Sequence, residues 1–198
     1  MKRDNLINAM RSFDGAKNGN AKHLEILSVY NSCTPLPRNV KMLSSYAWCA
    51  ATVSAAVVKA GLANELPREC SCGKLIELFQ QKGMWVEDDA FVPTPGDFIF
   101  YDWSDDGVGD CVEGHDHVGM VEAVSNNKIT VMEGNKNGAF GRRTISVNAR
   151  YIRGFAHLKF DDEIVTNPSS DRATELLNDI IDHLSIIVDR LKELGSIV

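Results

Sequence analysis

The chain has 198 residues, 44% of them hydrophobic and 24% charged, with a net charge of -6. That length suits one domain with an appendage and a sizeable buried core, in the composition range of ordinary soluble globular proteins. The negative balance excludes binding a nucleic acid backbone by bulk electrostatics, although Arg142 and Arg143 could meet an anion locally.

The opening stretch MKRDNLINAMRSFDG is charged but lacks an apolar segment, so it does not read as a secretory signal. A first helix is predicted over residues 3–12 and a second over AKHLEILSVYNS, after which the prolines of CTPLPRNV impose extended backbone. SYAWCAATVSAAVVKAG, residues 45–61, opens a third helix with Cys49 at its start and Gly61 as its C-cap. Because that helix is apolar on nearly every face, it should be central and buried. CGKLIELFQQKGMW gives another amphipathic helix that stops at Gly83. No run approaches 18 uninterrupted apolar residues, so no membrane-spanning helix is expected.

From residue 91 the period changes to that of strands. FVPTPGDFIFYDW leads through a turn into one strand, HVGMVEAV is a second and KITVMEGN a third, with SNN turning the chain between the last two. GRRTISVNARYIRGFAHLKF supplies one or two more. Helices followed by a meander of antiparallel strands define an α+β class, in the order of papain-like folds, with N-terminal helices packed on an antiparallel sheet. The expected domain covers residues 1–160. A polar linker follows over 161–170, and an amphipathic helix over 171–198 carries a heptad seam of Leu177, Ile180, Leu184, Ile187, Leu191, Leu194 and Val198. The seam fits either a helix packed on its own domain or a coiled coil that makes a homo-oligomer.

Five cysteines, Cys33, Cys49, Cys70, Cys72 and Cys111, do not make a disulfide framework in a chain read without a signal, and CSC is too tight for a zinc pair. Taken alone, Cys49 is a buried space-filler. A cysteine nucleophile needs a lowered pKa, a base within reach and a group that orients the base. A helix start lowers the pKa of Cys49. His117, which begins the strand HVGMV, is the candidate base, and Glu133, at the end of the next strand, is the candidate orienting acid, with Asn135 two residues on. Across a hairpin closed at SNN, the start of one strand lies opposite the end of the next, so His117 and Glu133 should be cross-strand neighbours. The other four cysteines have no basic partner and read as inert. His115 shares the strand parity of His117 but reads as a loop residue, and His23, His157 and His183 read as structural or surface. Trp48 fits either the core or a groove wall.

YAWCAATVSA, PTPGDFIFYDW, DHVGMVEAV and ITVMEGN, in this order and spacing, resemble the CHAP family of cysteine, histidine-dependent amidohydrolases/peptidases, which cleave bacterial peptidoglycan and frequently serve as phage endolysins. The resemblance spans residues 1–160. It implies Cys49 as nucleophile, His117 as general base, Glu133 as orienting acid and Asn135 as a further polar member. It also implies acyl transfer through a thioester, cleaving either the N-acetylmuramoyl-L-alanine amide or a peptide bond. An oxyanion hole would use the Cys49 N–H, with Tyr46 a candidate second donor. Peptidoglycan is then the expected partner, and the expected setting is synthesis in a cytoplasm followed by action at the wall after release. An NlpC-type peptidase of another wall bond and a non-catalytic wall-binding oligomer are the alternative readings.

DWSDDGVGDCVE, residues 102–113, matches a calcium loop: Asp102, Ser104 and Asp106 fill positions one, three and five, Gly107 six, Asp110 nine and Glu113 twelve. Strands rather than helices flank it, and a solvated acidic turn is the preferred reading. No cofactor is required, and calcium at Asp102, Asp106 and Glu113 would be structural. The seam yields one expectation for solution behaviour: deleting residues 166–198 should lower the mass from light scattering by more than the deleted residues account for. A full-length chain that scatters as a monomer would exclude the coiled coil.

Overall fold

The computed structural model describes residues 1–106, 114–160 and 180. The predicted 161–170 linker, the predicted 171–198 helix apart from residue 180, and the end of the acidic loop, Glu113 included, lie outside these residues.

Helix α1 (Lys2–Arg11) buries Leu6, Ile7, Ala9 and Met10. Helix α2 (Ala21–Asn31) starts at Asn20, whose side chain accepts the backbone N–H of His23, a standard way to satisfy a first-turn donor. The proline segment then forms a short 3-10 turn over Pro37–Asn39 rather than fully extended chain, with Arg38 and Asn39 both at positive φ. Helix α3 (Cys49–Lys59) is buried without interruption from Cys49 to Val57, as its all-round apolar pattern requires. Its C-cap is Ala60, and Gly61 follows at φ +75°. Gly61 donates to Val58 and Leu62 to Val57, the paired bonds that close a helix when a residue enters the left-handed region. The same ending recurs after helix α4 (Cys72–Gln81), where Gly83 donates to Gln80 and Met84 to Phe79.

Strands β1 (Trp85–Val86), β2 (Phe98–Tyr101), β3 (His117–Ser125), β4 (Lys128–Lys136), β5 (Ala139–Ser146) and β6 (Ile152–Ala156) build a six-stranded sheet in the order β1-β6-β2-β3-β4-β5. Every neighbouring pair is antiparallel, so the α+β expectation holds. Asn126 and Asn127, between β3 and β4, both have positive φ, which a tight two-residue hairpin turn demands. Strand alternation divides the core. Phe98, Phe100, Val118, Met120 and Met132 pack with the helices, whereas Ile99, Tyr101, Val121, Val131 and Phe155 form a second cluster.

Two glycines let the backbone approach closely around the site. A Cβ on Gly134 would lie 2.0 Å from Oγ1 of Thr52 in the first turn of α3, so only glycine lets that turn sit against the end of β4. A Cβ on Gly119 would lie 2.5 Å from Cγ1 of Val131 and 3.0 Å from Cγ of Glu133. Gly134→Ala should therefore overpack the α3–β4 contact, at about 1–3 kcal/mol, and lower the melting temperature by roughly 2–12 °C for a domain of this size. Gly141→Ala, whose Cβ would meet only Cδ of Lys136 at 3.4 Å, should change it little. Calorimetry of the two variants checks both.

Candidate active site

Cys49 is the first residue of α3, preceded by Trp48 in a non-helical conformation that offers no side-chain cap. The first-turn N–H groups and helix dipole are thus left to act on the thiol. Trp48 is anchored instead as a core residue. Its ring packs on His23 with centroids 4.7 Å apart, its Nε1 donates to Oδ1 of Asn18 at 2.8 Å, and it is 1% exposed. Thr52 locks the turn from within by donating its hydroxyl to the Trp48 carbonyl.

His117 opens β3 opposite Tyr101 of β2, and the two rings stack with centroids 5.8 Å apart. Its Nε2 lies 3.5 Å from Oε2 of Glu133, an ion-pair separation rather than an aligned hydrogen bond. The structure thus brings the predicted pair together, but not as directly opposed residues. The β3–β4 register pairs Met120 with Met132 and Val121 with Val131. Carried on, it sets Glu133 level with Gly119, and the carboxylate reaches diagonally past that glycine to the imidazole.

Glu133 is fully buried. Arg143, on β5, donates Nε to Oε1 at 2.6 Å and Nη2 to Oε2 at 3.1 Å. The Arg143 guanidinium rests 4.9 Å from the Trp103 ring centroid and 5.5 Å from that of Tyr101, a favourable seat for a planar cation. Sequence reading noted Arg143 as a local basic residue without linking it to Glu133. The β4–β5 register, which pairs Val131 with Arg143 and Glu133 with Gly141, was the available signal. Asn135, at φ +58° where the β4–β5 register slips, lines a cleft with Trp103, His117, Lys136, Asn137 and Arg143. The cleft encloses about 230 Å³. Asn135 makes no side-chain hydrogen bond to His117 or Glu133. A larger groove of about 460 Å³, walled by Pro35, Pro37, Leu66 and Pro67, holds none of these residues and lies apart from the thiol chemistry.

The inert reading of Cys72 needs correction. Its Sγ lies 3.7 Å from that of Cys49, because α4 also begins at a cysteine and its start meets the start of α3. No periodicity in the sequence reports that meeting. The contact from Cys72, helped by His117 and the Ala50 N–H, outweighs burial and holds the Cys49 thiol well below its ordinary range. Cys72 takes the opposite shift: hydrogen bonding to Cys49, burial and the charges of Cys49 and Asp116 keep it protonated. For His117, burial lowers the pKa, but Cys49 and Glu133 reverse that and raise it to about 9. For Glu133, burial raises the pKa, and His117 and Arg143 more than compensate, leaving it below the usual carboxylate range. These shifts favour a thiolate at Cys49 and an imidazolium at His117 with a carboxylate behind it, an arrangement able to attack a carbonyl and protonate a leaving group.

Tyr46 is 47% exposed and spends its N–H on the Leu43 carbonyl, so its backbone is unavailable as an oxyanion donor. His115 is a loop residue packed against Gly73. Asp102 is buried and its Oδ1 accepts from the N–H and hydroxyl of Ser104, while its side chain packs on Gly114. Among the described residues no group of three or more His, Cys, Asp or Glu is placed to hold a metal.

Residues 41–135 match the family model of the CHAP domain. The chain is thus similar to the CHAP domain over this stretch. The match takes in Cys49, His117, Glu133 and Asn135. Among solved structures, the chain is similar to the crystal structure of Ly7917, at 15% identity and a TM-score of 0.45 over 78% of this chain and 62% of that one. It is also similar to Ly7917 with the hydrolyzing product of MDP, at 16% identity and a TM-score of 0.43 over 77% and 61%. The chain therefore spans under two thirds of the length of these neighbours. No curated protein matches it.

Replacing Glu133 with Gln removes the anion beside His117 and should lower the imidazole pKa from about 9 by about one unit or more. NMR titration of the ring checks this, and an unchanged midpoint would mean that Cys49 alone sets it.

Proposed function

We propose that the chain hydrolyses an amide bond of peptidoglycan by a Cys49–His117–Glu133 mechanism, as an N-acetylmuramoyl-L-alanine amidase or an endopeptidase. The observation that carries the proposal is the buried thiol at the uncapped start of α3, whose pKa His117 helps to lower, together with the pairing of His117 to a buried carboxylate. The Cys49 thiolate adds to the amide carbonyl, and the N–H groups at the helix start receive the developing oxyanion. The His117 imidazolium gives its proton to the departing amine, leaving a thioester on Cys49. The neutral imidazole then takes a proton from water, whose oxygen attacks the thioester and releases the acid and the thiolate. Glu133 keeps the ring oriented and balances its positive charge, and Arg143 fixes Glu133.

The cleft beside His117 joins an exposed aromatic edge, Trp103, to Lys136 and the amides of Asn135 and Asn137. Such a surface suits a substrate with both peptide and sugar character. We place the activity in a phage or prophage endolysin that reaches the wall after release from the cell, the setting in which the family frequently works.

Purified protein and Cys49→Ala should be incubated with Gram-positive peptidoglycan and the new amino termini identified by mass spectrometry. The wild type should release termini and the variant none. A new L-alanine terminus assigns the amidase, and a D-amino acid or glycine terminus the endopeptidase. Equal release by both proteins, or release by neither, would overturn the mechanism.

A further inference from the structure

The hydrolytic mechanism makes no use of Cys72 as a reactant, yet this thiol is in van der Waals contact with the nucleophile. The Sγ atoms are 3.7 Å apart, and each belongs to the first residue of its helix. Two helix N-termini, each favouring negative charge, thus converge on one pair of sulfurs. Both side chains are sequestered, at 6% and 7% exposure, within one apolar cluster. The other described cysteines are engaged elsewhere: Cys70 lies 3.8 Å from Nη2 of Arg38, and Cys33 is buried after the end of α2.

We propose that Cys49 and Cys72 are a modification site for two-electron oxidants of the peroxide class, closing to a reversible disulfide that withdraws the nucleophile. The proposal rests on the reading of Cys49 as the reactive thiolate. The Cys49 thiolate attacks one oxygen of the peroxide. The O–O bond breaks, hydroxide leaves, and Cys49 becomes a sulfenic acid, its sulfur oxidised by two electrons as the peroxide is reduced. The Cys72 sulfur then attacks the sulfenic sulfur, the S–OH bond breaks, and the Cys72 proton leaves with the hydroxyl as water. The product is one S–S bond.

The order of events follows from the site. Cys72 is kept protonated by its hydrogen bond to Cys49, by burial and by the charges of Cys49 and Asp116, so Cys49 reacts first. Once Cys49 is a neutral sulfenic acid its share of that restraint is lifted, which favours deprotonation of Cys72 as it attacks. Closing from 3.7 Å to the bond length of about 2.05 Å asks for a small adjustment between two side chains at helix starts. A neighbouring thiol also protects: a sulfenic acid trapped as a disulfide is spared the irreversible steps to sulfinic and sulfonic acid. Until reduced, the enzyme would be off but recoverable.

The test uses the full-length, fully reduced protein exposed to hydrogen peroxide, followed by alkylation of free thiols and peptide mapping without reduction. The expected result is a Cys49–Cys72 linkage, the loss of two free thiols and their return with dithiothreitol. Cys72→Ser should instead accumulate Cys49 sulfinic acid that dithiothreitol does not reverse, while Cys33→Ser and Cys70→Ser should behave as wild type. Linkage of Cys49 to another cysteine, or equal over-oxidation in wild type and Cys72→Ser, would overturn the proposal. The map on the wild type suffices should the Cys72 variant fail to fold. Because the readout needs no wall substrate, a protein that forms the linkage but releases no termini would refute the hydrolase reading and leave this one standing.

Discussion

A carboxylate with no exposed surface sits at the end of β4, and the surrounding structure is organised by what Glu133 needs. Removing a charge from water costs several kcal/mol, and only close partners with good geometry return it. Glu133 has a two-pronged arginine on one side and an imidazole on the other. Arg143 is in turn seated on two aromatic faces, and one of those rings, Tyr101, stacks on His117. The arrangement closes on itself: the strand that carries the base also pairs with the strand that supports the cation behind the acid. Lysine could not replace Arg143 here, since a single ammonium cannot bridge both carboxylate oxygens or lie flat on the rings.

The same charges set the pH range of the folded state. The His117 pKa rises from an ordinary 6.5 to about 9, so its contribution to stability is complete below 6.5 and is lost as pH climbs through 9. Glu133 is shifted the other way; its contribution is complete above the ordinary carboxylate value and is lost as pH falls through its lowered one. The two contributions overlap across neutrality. The Cys49 thiol is lowered while His117 is raised, so the same neighbours favour the charged form of each. Stability and chemical competence therefore draw on one set of interactions.

Much of this was legible because it is encoded locally. The alternating runs after residue 91, the SNN turn and the apolar helix after Trp48 each follow from neighbours in the chain, and the strand order brings His117 and Glu133 onto adjoining strands. What escaped depends on contacts between distant segments. Cys72 is 23 residues from Cys49, and nothing in either helix announces that their starts meet. Arg143 answers Glu133 only once the β4–β5 register is known, and that register slips at Asn135. The SNN turn makes His117 and Glu133 cross-strand neighbours without fixing which residues face each other. The register instead gives the position level with Glu133 to Gly119, whose missing side chain lets the carboxylate cross.

Helix α3 shows how a local rule is broken in favour of the site. A helix start ordinarily recruits Ser, Thr, Asp or Asn, and losing such a cap costs about 1 kcal/mol; α2 and α4 follow the rule with Asn20 and Ser71. Helix α3 begins after Trp48 with no capping side chain. A capping oxygen would take up the N–H groups that, on the proposed mechanism, the thiolate and a tetrahedral intermediate would use. The helix is instead secured by burial along almost its whole length, by the indole of Trp48 fastened to Asn18, and by Thr52 wedged against Gly134. The core supplies the stability that the open end forgoes, and the open end stays available for chemistry.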